Sequence, residues 1–400
     1  MELTAEQRAM LNGDLGRGKA MAMGVQVGIG KCFDAPRMVP VQKVHVSLSA
    51  QEADVWFSGR LLEAGASCAV ALTVNPGYSL DYFRKHLTPE AIANMEETHR
   101  IYQSLGARLT YSCTPYLVDN VPEYGEAAAF SETNATIFVN AVLGARTNRE
   151  SAASALCAAV TGFVPEYGML LEENRRGAVA VEVDARLNSD FDYGVLGLTG
   201  KRIGQGIPVF LGLPETISTE ALIALGAQLN VSGSYDLFHI PGVTAECRRG
   251  VDPFGGREPL RRLRLTSADL EETLAAFSPD LSGEIHFCIL GCPHYTYRQL
   301  EIADRLLSQS PAKVPVYVLT SARVKKQAGE QGLERRLQEA GAELIADTCI
   351  DEACCWGHLA GKPGVTDSPK AAYYTETAGI RMAVRDTDTC IRWAQKGGVC

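Results

Sequence analysis

The last third of the chain alternates strand-like and helix-like segments, and this alternation constrains the fold more than any other feature of the sequence. The predicted elements are strands at 284–290, 315–319 and 342–346, with helices at 295–307 and 322–340 between them. Parallel strands need a long crossover connection, which a helix supplies. The βαβαβ order therefore predicts a parallel sheet with right-handed crossovers.

The rest of the chain shows the same alternation less regularly. Helices are expected to begin after Thr4, Thr88, Ser218 and Thr266, whose hydroxyl groups can cap a first turn. A small-residue helix is predicted at 151–161. Further strands are predicted at 41–47, 68–74, 107–112, 178–183 and 208–212.

A chain of 400 residues is longer than one hydrophobic core usually supports, so several subdomains are expected. We predict an N-terminal α/β region at 1–205, a middle α/β segment at 206–282 and a C-terminal βαβαβ region at 283–400. The predicted fold class is α/β.

Composition and charge exclude several classes of protein. Hydrophobic residues make up 46% and charged residues 21% of the chain, which excludes a disordered or a fibrous protein. The formal net charge of −9 argues against nucleic acid as the main partner. The sequence has no run of about 18 apolar residues, so no membrane span is expected. Its first residues lack a secretory signal pattern, so we expect a cytoplasmic protein.

Three cysteines are placed where α/β sheets bind ligands. Cys113, Cys292 and Cys349 each follow a predicted strand and stand beside turn-forming residues, and ligands of open α/β sheets lie beyond the carboxyl ends of the strands. Three thiolates there suit an iron–sulfur cluster with one iron open to substrate. From spacing alone, buried packing cysteines are an alternative. Zinc is a further one, although the sequence lacks the CxxC pairs of structural zinc sites.

The chain has twelve cysteines and no signal pattern, which indicates a reducing compartment. Disulfide bonds between the other nine cysteines are therefore not expected. Cys354 and Cys355 are adjacent, and either could replace a ligand near Cys349. The terminal Cys400 is expected to be exposed. The remaining six are interpreted as packing residues: Cys32, Cys68, Cys157, Cys247, Cys288 and Cys390.

Polar and charged side chains stand near other predicted strand ends. Asn75 and Pro76 end one strand with a turn, and the polar segment at 131–134 precedes an apolar run. Arg149 stands at a helix start, where it could clamp a carboxylate through two hydrogen bonds or form an ordinary surface salt bridge. Lys370 lies in a late loop, where a lysine is ordinarily solvated.

Other conspicuous residues favour a structural interpretation. His45 and His294 flank candidate turns, but a single histidine is more often structural. The six arginines between 248 and 264 are not interleaved with aromatic residues as in a nucleic-acid site, so a solvated face or a subunit contact is expected.

Taken together, these motifs resemble the aconitase X family over nearly the whole chain. The N-terminal matches are the segments 3–13 and 37–45. The others are NPG at 75–77, CTPYL at 113–117, NAVLGARTNRE at 140–150, GCPH at 291–294, DTC at 347–349 and TDSPK at 366–370.

The resemblance implies an aconitase-like fold, with several α/β subdomains of mainly parallel sheets around a central crevice. It implies an iron–sulfur hydro-lyase that dehydrates a small hydroxy acid, such as cis-3-hydroxy-L-proline or a mevalonate 5-phosphate-like acid. The cluster would be held by Cys113, Cys292 and Cys349, with its type, [4Fe–4S], [3Fe–4S] or [2Fe–2S], left open. A non-catalytic, redox-sensing iron–sulfur protein is the alternative, and a sugar- or nucleotide-binding protein is a third hypothesis.

The resemblance also implies the residues of the site. Glu132 would orient the substrate hydroxyl or amine, and Lys370 would clamp a carboxylate. The substrate contacts implied by the family are Ser47, Leu48, Ser49, Asn75, Pro76, Glu132, Thr133 and Lys370.

This chain departs from the family in two ways. Leu48 stands where the family usually carries a glycine, a residue that lets backbone amides approach a ligand. The replacement disfavours both of the family's familiar substrates, and the phosphorylated one more than the other. The chain also stops before the swivelling domain of the fused form, so it resembles the large subunit of the two-chain form. We therefore expect a heterodimer with a small swivel-domain subunit that supplies the catalytic serine.

Overall fold

The computed structural model describes residues 1–399, so Cys400 and its expected exposure lie outside the described residues. The strands are β1 (Met38–Pro40), β2 (Lys43–Val46), β3 (Ala71–Val74), β4 (Ala128–Phe130), β5 (Phe163–Pro165), β6 (Val179–Asp184), β7 (Pro208–Leu211), β8 (Arg261–Thr266), β9 (Phe287–Tyr295), β10 (Val316–Thr320), β11 (Ala342–Ala346), β12 (Pro363–Thr366) and β13 (Arg381–Val384).

The helices are α1 (Ala5–Asn12), α2 (Arg17–Cys32), α3 (Glu52–Glu63), α4 (Leu80–Phe83), α5 (Pro89–Leu105), α6 (Thr133–Phe138), α7 (Ala152–Thr161), α8 (Asp190–Leu198), α9 (Gly200–Ile203), α10 (Thr219–Gly233), α11 (Ala245–Arg248), α12 (Ser267–Phe277), α13 (Tyr297–Leu307), α14 (Ala322–Glu330), α15 (Leu333–Glu339), α16 (Ala353–Trp356), α17 (Pro369–Thr375) and α18 (Thr387–Lys396).

The four helix starts predicted from capping residues are confirmed. Thr4, Thr88, Ser218 and Thr266 directly precede α1, α5, α10 and α12, and each hydroxyl accepts a hydrogen bond from the backbone N–H three residues later. These bonds satisfy N–H groups that a helix cannot satisfy internally, so the local sequence alone determines where the helices begin.

The N-terminal part of the chain builds a three-stranded parallel sheet in the order β3-β2-β4. Helix α7 packs on all three strands, and α2 packs on α7. The small side chains of α7, with Ala155, Ala158 and Ala159 fully buried, allow this close approach. A two-stranded antiparallel ribbon, β1 with β5, borders the sheet.

The predicted strand at 107–112 is wrong. The segment runs beside β3, but Arg108 makes only an isolated bridge to Thr73. The Thr110 hydroxyl accepts the Val74 N–H, and Tyr111 has a φ of +42°, in the left-handed region that a strand does not use. The segment therefore leaves the sheet edge just before Cys113.

The middle part of the chain builds a second parallel sheet in the order β7-β6-β8. Helices α8 and α10 pack against each other over this sheet, and α10 also contacts α6 and α17. One sheet therefore joins strands from both sides of residue 205. The division of the chain at 205 and 282 stays a prediction.

The predicted βαβαβ unit is confirmed, and it lies within a five-stranded parallel sheet in the order β11-β10-β9-β12-β13. Two details differ. The predicted helix at 322–340 is broken into α14 and α15 at Gly332, whose φ of +68° is left-handed. The strands β12 and β13, each of four residues, were not predicted.

Strand β9 continues past its predicted end at residue 290 and carries Cys292 inside the strand. Its register with β10 pairs Leu290 with Val318 and Tyr295 with Thr320, so the four residues 291–294 lie opposite Leu319 alone. Such an irregularity re-aims side chains at a sheet edge.

The predicted α/β class with mainly parallel sheets is confirmed. Among residues 1–399, the search for a helix long and apolar enough to cross a membrane finds none.

Candidate active site

A cavity of about 220 Å³ lies where the carboxyl ends of strands from two parallel sheets meet. The residues after β2, β3 and β4 come from the N-terminal sheet. The bulge of β9, the loop after β11 and the start of α17 come from the C-terminal sheet. Ligand sites of parallel α/β sheets lie at this end of the strands.

Eleven of the twelve predicted site residues line this one cavity. They are Ser47, Leu48, Ser49, Asn75, Pro76, Cys113, Glu132, Thr133, Cys292, Cys349 and Lys370. They come from segments more than 300 positions apart in the chain, so only the fold brings them together.

Arg149 is the exception, and its predicted role as a carboxylate clamp is not supported by its position. Its side chain points to Asp236, with an Nε to Oδ1 distance of 3.8 Å, and its Nη1 donates to Asn230 at 3.3 Å. The residue is exposed and is not among those lining the cavity. The backbone of Arg149 bridges to Phe130 of β4, and its side chain reaches Asn230 of α10.

The charged centre of the cavity is an ion pair between Lys370 and Glu132. The Lys370 Nζ donates to Glu132 Oε1 at 2.8 Å and to Thr133 Oγ1 at 3.0 Å. Burial acts to lower the pKa of Lys370, but the anionic groups around it, Glu132 first, outweigh burial and raise the pKa above its usual value. The raised pKa favours the cationic form of Lys370.

Helix α6 holds Glu132 in place. Glu132 is its N-cap residue, and its Oε2 accepts the N–H of Ala135 at 2.5 Å. Lys370 is fixed by the first turn of α17, where the Ser368 hydroxyl caps the helix. Both charges thus stand on rigid helix starts.

The three cysteines present their thiols to the same cavity from separate elements. The Cys113 Sγ accepts the backbone N–H of His294 at 3.2 Å. Burial raises the pKa of all three thiols, that of Cys292 to about 11. Among residues 1–399 no three His, Cys, Asp or Glu side chains form a single-ion metal site. The three thiols line the same cavity, but they do not form the compact set that one zinc ion needs.

The segment Ser47, Leu48 and Ser49, named here the 47–49 loop, is held by side chains of its own chain. The Ser47 N–H donates to Ser131 Oγ at 2.6 Å, and the Ser49 N–H donates to Asp54 Oδ2 at 3.2 Å. The next residue, Ala50, has a φ of +48°, a strained conformation that these contacts maintain.

Below the cavity, His45 supports Asn75. His45 is completely buried, with Nδ1 2.9 Å from Thr73 Oγ1 and Nε2 3.4 Å from Asn75 Oδ1. Burial lowers the pKa of His45 to about 4, so the ring is neutral at physiological pH. With Nε2–H donating to the Asn75 carbonyl, the Asn75 amide is left with its NH₂ group free to face a ligand.

Ten further residues line the cavity and were not predicted as site residues, and among them are Ser131, His294, Asp351, Glu352 and Tyr374. The place of Tyr374 at the site could have been predicted, because Tyr374 follows Lys370 by four positions on a helix. Its ring centroid lies 5.8 Å from the Lys370 Nζ. His294 was interpreted as structural. The bulge of β9 places it at the cavity, and a bulge cannot be foreseen from alternation alone.

A larger cavity of about 300 Å³ lies on the other side of the β9 bulge, between α8 and α10 on one side and α13 and α18 on the other. Its acidic side chains already have partners. Asp190 and Glu220 contact Arg298 at 3.4 and 3.0 Å, and Asp367 accepts a hydrogen bond from Thr387 at 2.8 Å. The smaller cavity, with its thiols and its lysine, is therefore the candidate active site.

Known proteins show the same architecture. The first, second and third domains of aconitase X match this chain over residues 1–173, 177–275 and 285–396. The crystal structure of Thermococcus kodakaraensis aconitase X in its holo-form aligns with a TM-score of 0.89 at 31% identity, over 98% of this chain and 100% of that one.

Relatives with assigned activities are dehydratases. The phosphomevalonate dehydratase large subunit of Thermococcus kodakarensis is 33% identical over 402 residues, covering 98% of this chain and 100% of the relative. The cis-3-hydroxy-L-proline dehydratase of Pseudomonas aeruginosa is 32% identical over 387 residues, covering 93% of this chain and 66% of the relative. These matches and the fold lead to one conclusion: the chain belongs to the aconitase X family and corresponds to its large subunit.

Proposed function

We propose that this chain is the large subunit of a hydro-lyase that removes water from a small hydroxy carboxylic acid, such as cis-3-hydroxy-L-proline or a mevalonate 5-phosphate-like acid. The observation that carries the proposal is the meeting of the buried Lys370–Glu132 ion pair with three cysteines in a single cavity. The relatives named as dehydratases of hydroxy acids support it.

The donor set fits an iron–sulfur cluster held by Cys113, Cys292 and Cys349. All three thiols line the cavity and are free of disulfides, and the N–H bond to the Cys113 sulfur is typical of cluster ligands. Three thiols from separate elements suit a polynuclear cluster, in which each thiolate can bind a different iron. Such a cluster, when bound with one open iron, supplies a Lewis acid for the leaving hydroxyl.

The residues of this chain bind and orient the substrate. Lys370 pairs with the substrate carboxylate, which makes the neighbouring proton more acidic as charge develops on that group. Glu132 orients the hydroxyl or amine. The Thr133 hydroxyl lies 3.0 Å from the Lys370 ammonium and links Lys370 to the Glu132 carboxylate. The Asn75 NH₂ group, held by His45, donates to the substrate from the opposite wall.

Dehydration also needs a base for the proton next to the carboxylate. Of the candidates in this chain, Ser131 already donates to the His45 carbonyl and accepts from Ser47, and Glu132 is tied to Lys370 and Ala135. We infer that a small swivel-domain subunit supplies the base, a serine, and covers the cavity in a heterodimer. The name "large subunit" carried by the relatives supports such a partner.

The test is turnover by the two-chain complex. The large subunit is expressed with a small subunit from the same genome, loaded with iron and sulfide under anaerobic conditions, and assayed with cis-3-hydroxy-L-proline and 5-phosphomevalonate. We expect turnover of at least one acid by the complex, none by the large subunit alone, and none by the Cys292→Ala complex. Full turnover by the large subunit alone would contradict the assigned partner. A loaded complex that converts neither acid would contradict the proposed reaction.

A further inference from the structure

The 47–49 loop lies at the cavity in the position where a ligand could meet backbone amides. Two of its three N–H groups are already used, because the Ser47 N–H donates to Ser131 and the Ser49 N–H donates to Asp54. At most the Leu48 amide is left for a ligand. A phosphoryl group has three charged oxygens and is bound by several N–H donors or cations together.

Asp54 holds the Ser49 backbone N–H, although Asp54 itself is not among the residues that line the cavity. It stands in the first turn of α3, which begins at Glu52 and directs its N-terminus toward the loop. Helix N-termini attract anions, because their N–H groups and the helix dipole are positive. The Asp54 carboxylate receives both the Ser49 N–H and the Ser49 hydroxyl, at 3.2 and 3.5 Å. The protein thus supplies its own anion here.

Leu48 fills the remaining space. Its side chain is only 6% exposed and belongs to the hydrophobic core of the N-terminal part of the chain, while it also lines the cavity. An apolar wall beside a phosphoryl group would remove water from the charged oxygens without replacing its hydrogen bonds, which is unfavourable.

The charges of the cavity also disfavour a phosphoryl group. Among the described residues that line it, Lys370 is the one lysine or arginine, and it is already shared with Glu132. Asp351 and Glu352 line the cavity as well. A substrate with one carboxylate can use Lys370, whereas a second, doubly charged group would find no cation.

We propose that Leu48 and Asp54 close the 47–49 loop to phosphoryl groups, so that this site selects an unphosphorylated hydroxy acid; the inference rests on the hydro-lyase function proposed above. Leu48 excludes the phosphoryl group by its bulk. Asp54 excludes it by charge and by holding the Ser49 amide.

The experiment compares the wild type with Leu48→Gly, Asp54→Asn and the double variant, each as the full chain in its iron-loaded complex. Leu260→Gly is the control, because Leu260 is 88% exposed and lies outside the cavity. Inorganic phosphate is titrated by calorimetry and as an inhibitor, and kcat/KM is measured for cis-3-hydroxy-L-proline and 5-phosphomevalonate. Thermal unfolding of each variant confirms that it is folded, and Asp54→Asn preserves side-chain size.

We expect phosphate to bind the double variant at least about tenfold more tightly than the wild type, since one charge-assisted contact is worth that much. The control should match the wild type. The proposal is overturned if wild-type enzyme converts 5-phosphomevalonate as efficiently as the unphosphorylated acid, or if folded variants bind phosphate no better. A wild-type complex that converts neither acid would contradict the proposed function, while the phosphate titration still decides the selectivity of the loop.

Discussion

The Lys370 ammonium lies 2.8 Å from the Glu132 carboxylate, although the two residues are 238 positions apart in the chain. Lys370 is 7% and Glu132 is 5% exposed, so each charge depends on the other for the interactions it loses on leaving water. A substrate carboxylate that binds Lys370, as proposed above, would join this pair, and substrate binding would then be coupled to the stability of the fold.

Replacing Lys370 by Met should lower both the stability of the fold and the affinity for substrate. The free energy of unfolding should fall by about 3–5 kcal/mol, because the buried Glu132 carboxylate loses its partner. Substrate binding should weaken by about 1.5–3 kcal/mol through loss of a charge-assisted hydrogen bond. Urea unfolding and kcat/KM measure the two effects. The double variant Lys370→Met/Glu132→Gln should recover stability but not activity. A Lys370→Met enzyme with wild-type stability and turnover would show that the pair has neither role.

Replacing any one of Cys113, Cys292 or Cys349 by Ala should remove most of the bound iron and the visible absorption of the reconstituted protein. The reason is that three thiols are the minimum that holds a cluster with one open iron. Cys157→Ala is the matched control, since Cys157 is completely buried in α7 and is not among the residues that line the cavity. Iron content is measured after anaerobic reconstitution. Full iron occupancy in Cys292→Ala would rule out the assigned ligand set.

The buried His45 should make the protein sensitive to acid. Its pKa is lowered by burial to about 4, below the value of about 6.5 in an unfolded chain. Above pH 6.5 the ring is neutral in both states and stability is unaffected. As the pH falls from 6.5 to 4, the unfolded state takes up the proton first, so the free energy of unfolding drops by about 3 kcal/mol.

Urea unfolding at several pH values checks the effect of His45. In His45→Gln this part of the acid dependence should disappear, whereas His86→Gln, at an exposed position, should retain the wild-type dependence. Identical pH profiles for wild type and His45→Gln would contradict the assignment of a neutral buried ring.

Arg149→Ala should leave catalysis nearly unchanged. The side chain lies outside the cavity, and its 3.8 Å contact with Asp236 is a partly exposed ion pair worth at most about 1 kcal/mol. We expect kcat/KM within about twofold of the wild type, since no lost contact reaches the substrate. Steady-state kinetics of Arg149→Ala and of Lys370→Met, measured with the same substrate, provide the comparison. A tenfold loss in kcat/KM would return Arg149 to the substrate-binding set.

Local patterns in the chain are sufficient to specify many of its helices and strands. Hydroxyl groups at Thr4, Thr88, Ser218 and Thr266 define where helices begin, because capping depends on residues three positions apart. The βαβαβ alternation was sufficient to predict parallel pairing, since a strand–helix–strand connection permits little else. The segments that carry the site residues were likewise visible as motifs.

Which of those residues meet depends on how distant segments pack together. Lys370 and Glu132 pair because the starts of α6 and α17 face each other across two sheets, a relationship that no local spacing contains. Arg149 bridges to β4 through its backbone and faces away from the cavity, and Cys292 reaches the cavity because β9 bulges opposite Leu319. The occupied amides of the 47–49 loop are likewise set by Ser131 and Asp54 from other elements. Local patterns depend on near neighbours in the chain, whereas strand order, bulges and side-chain partners depend on how distant segments pack.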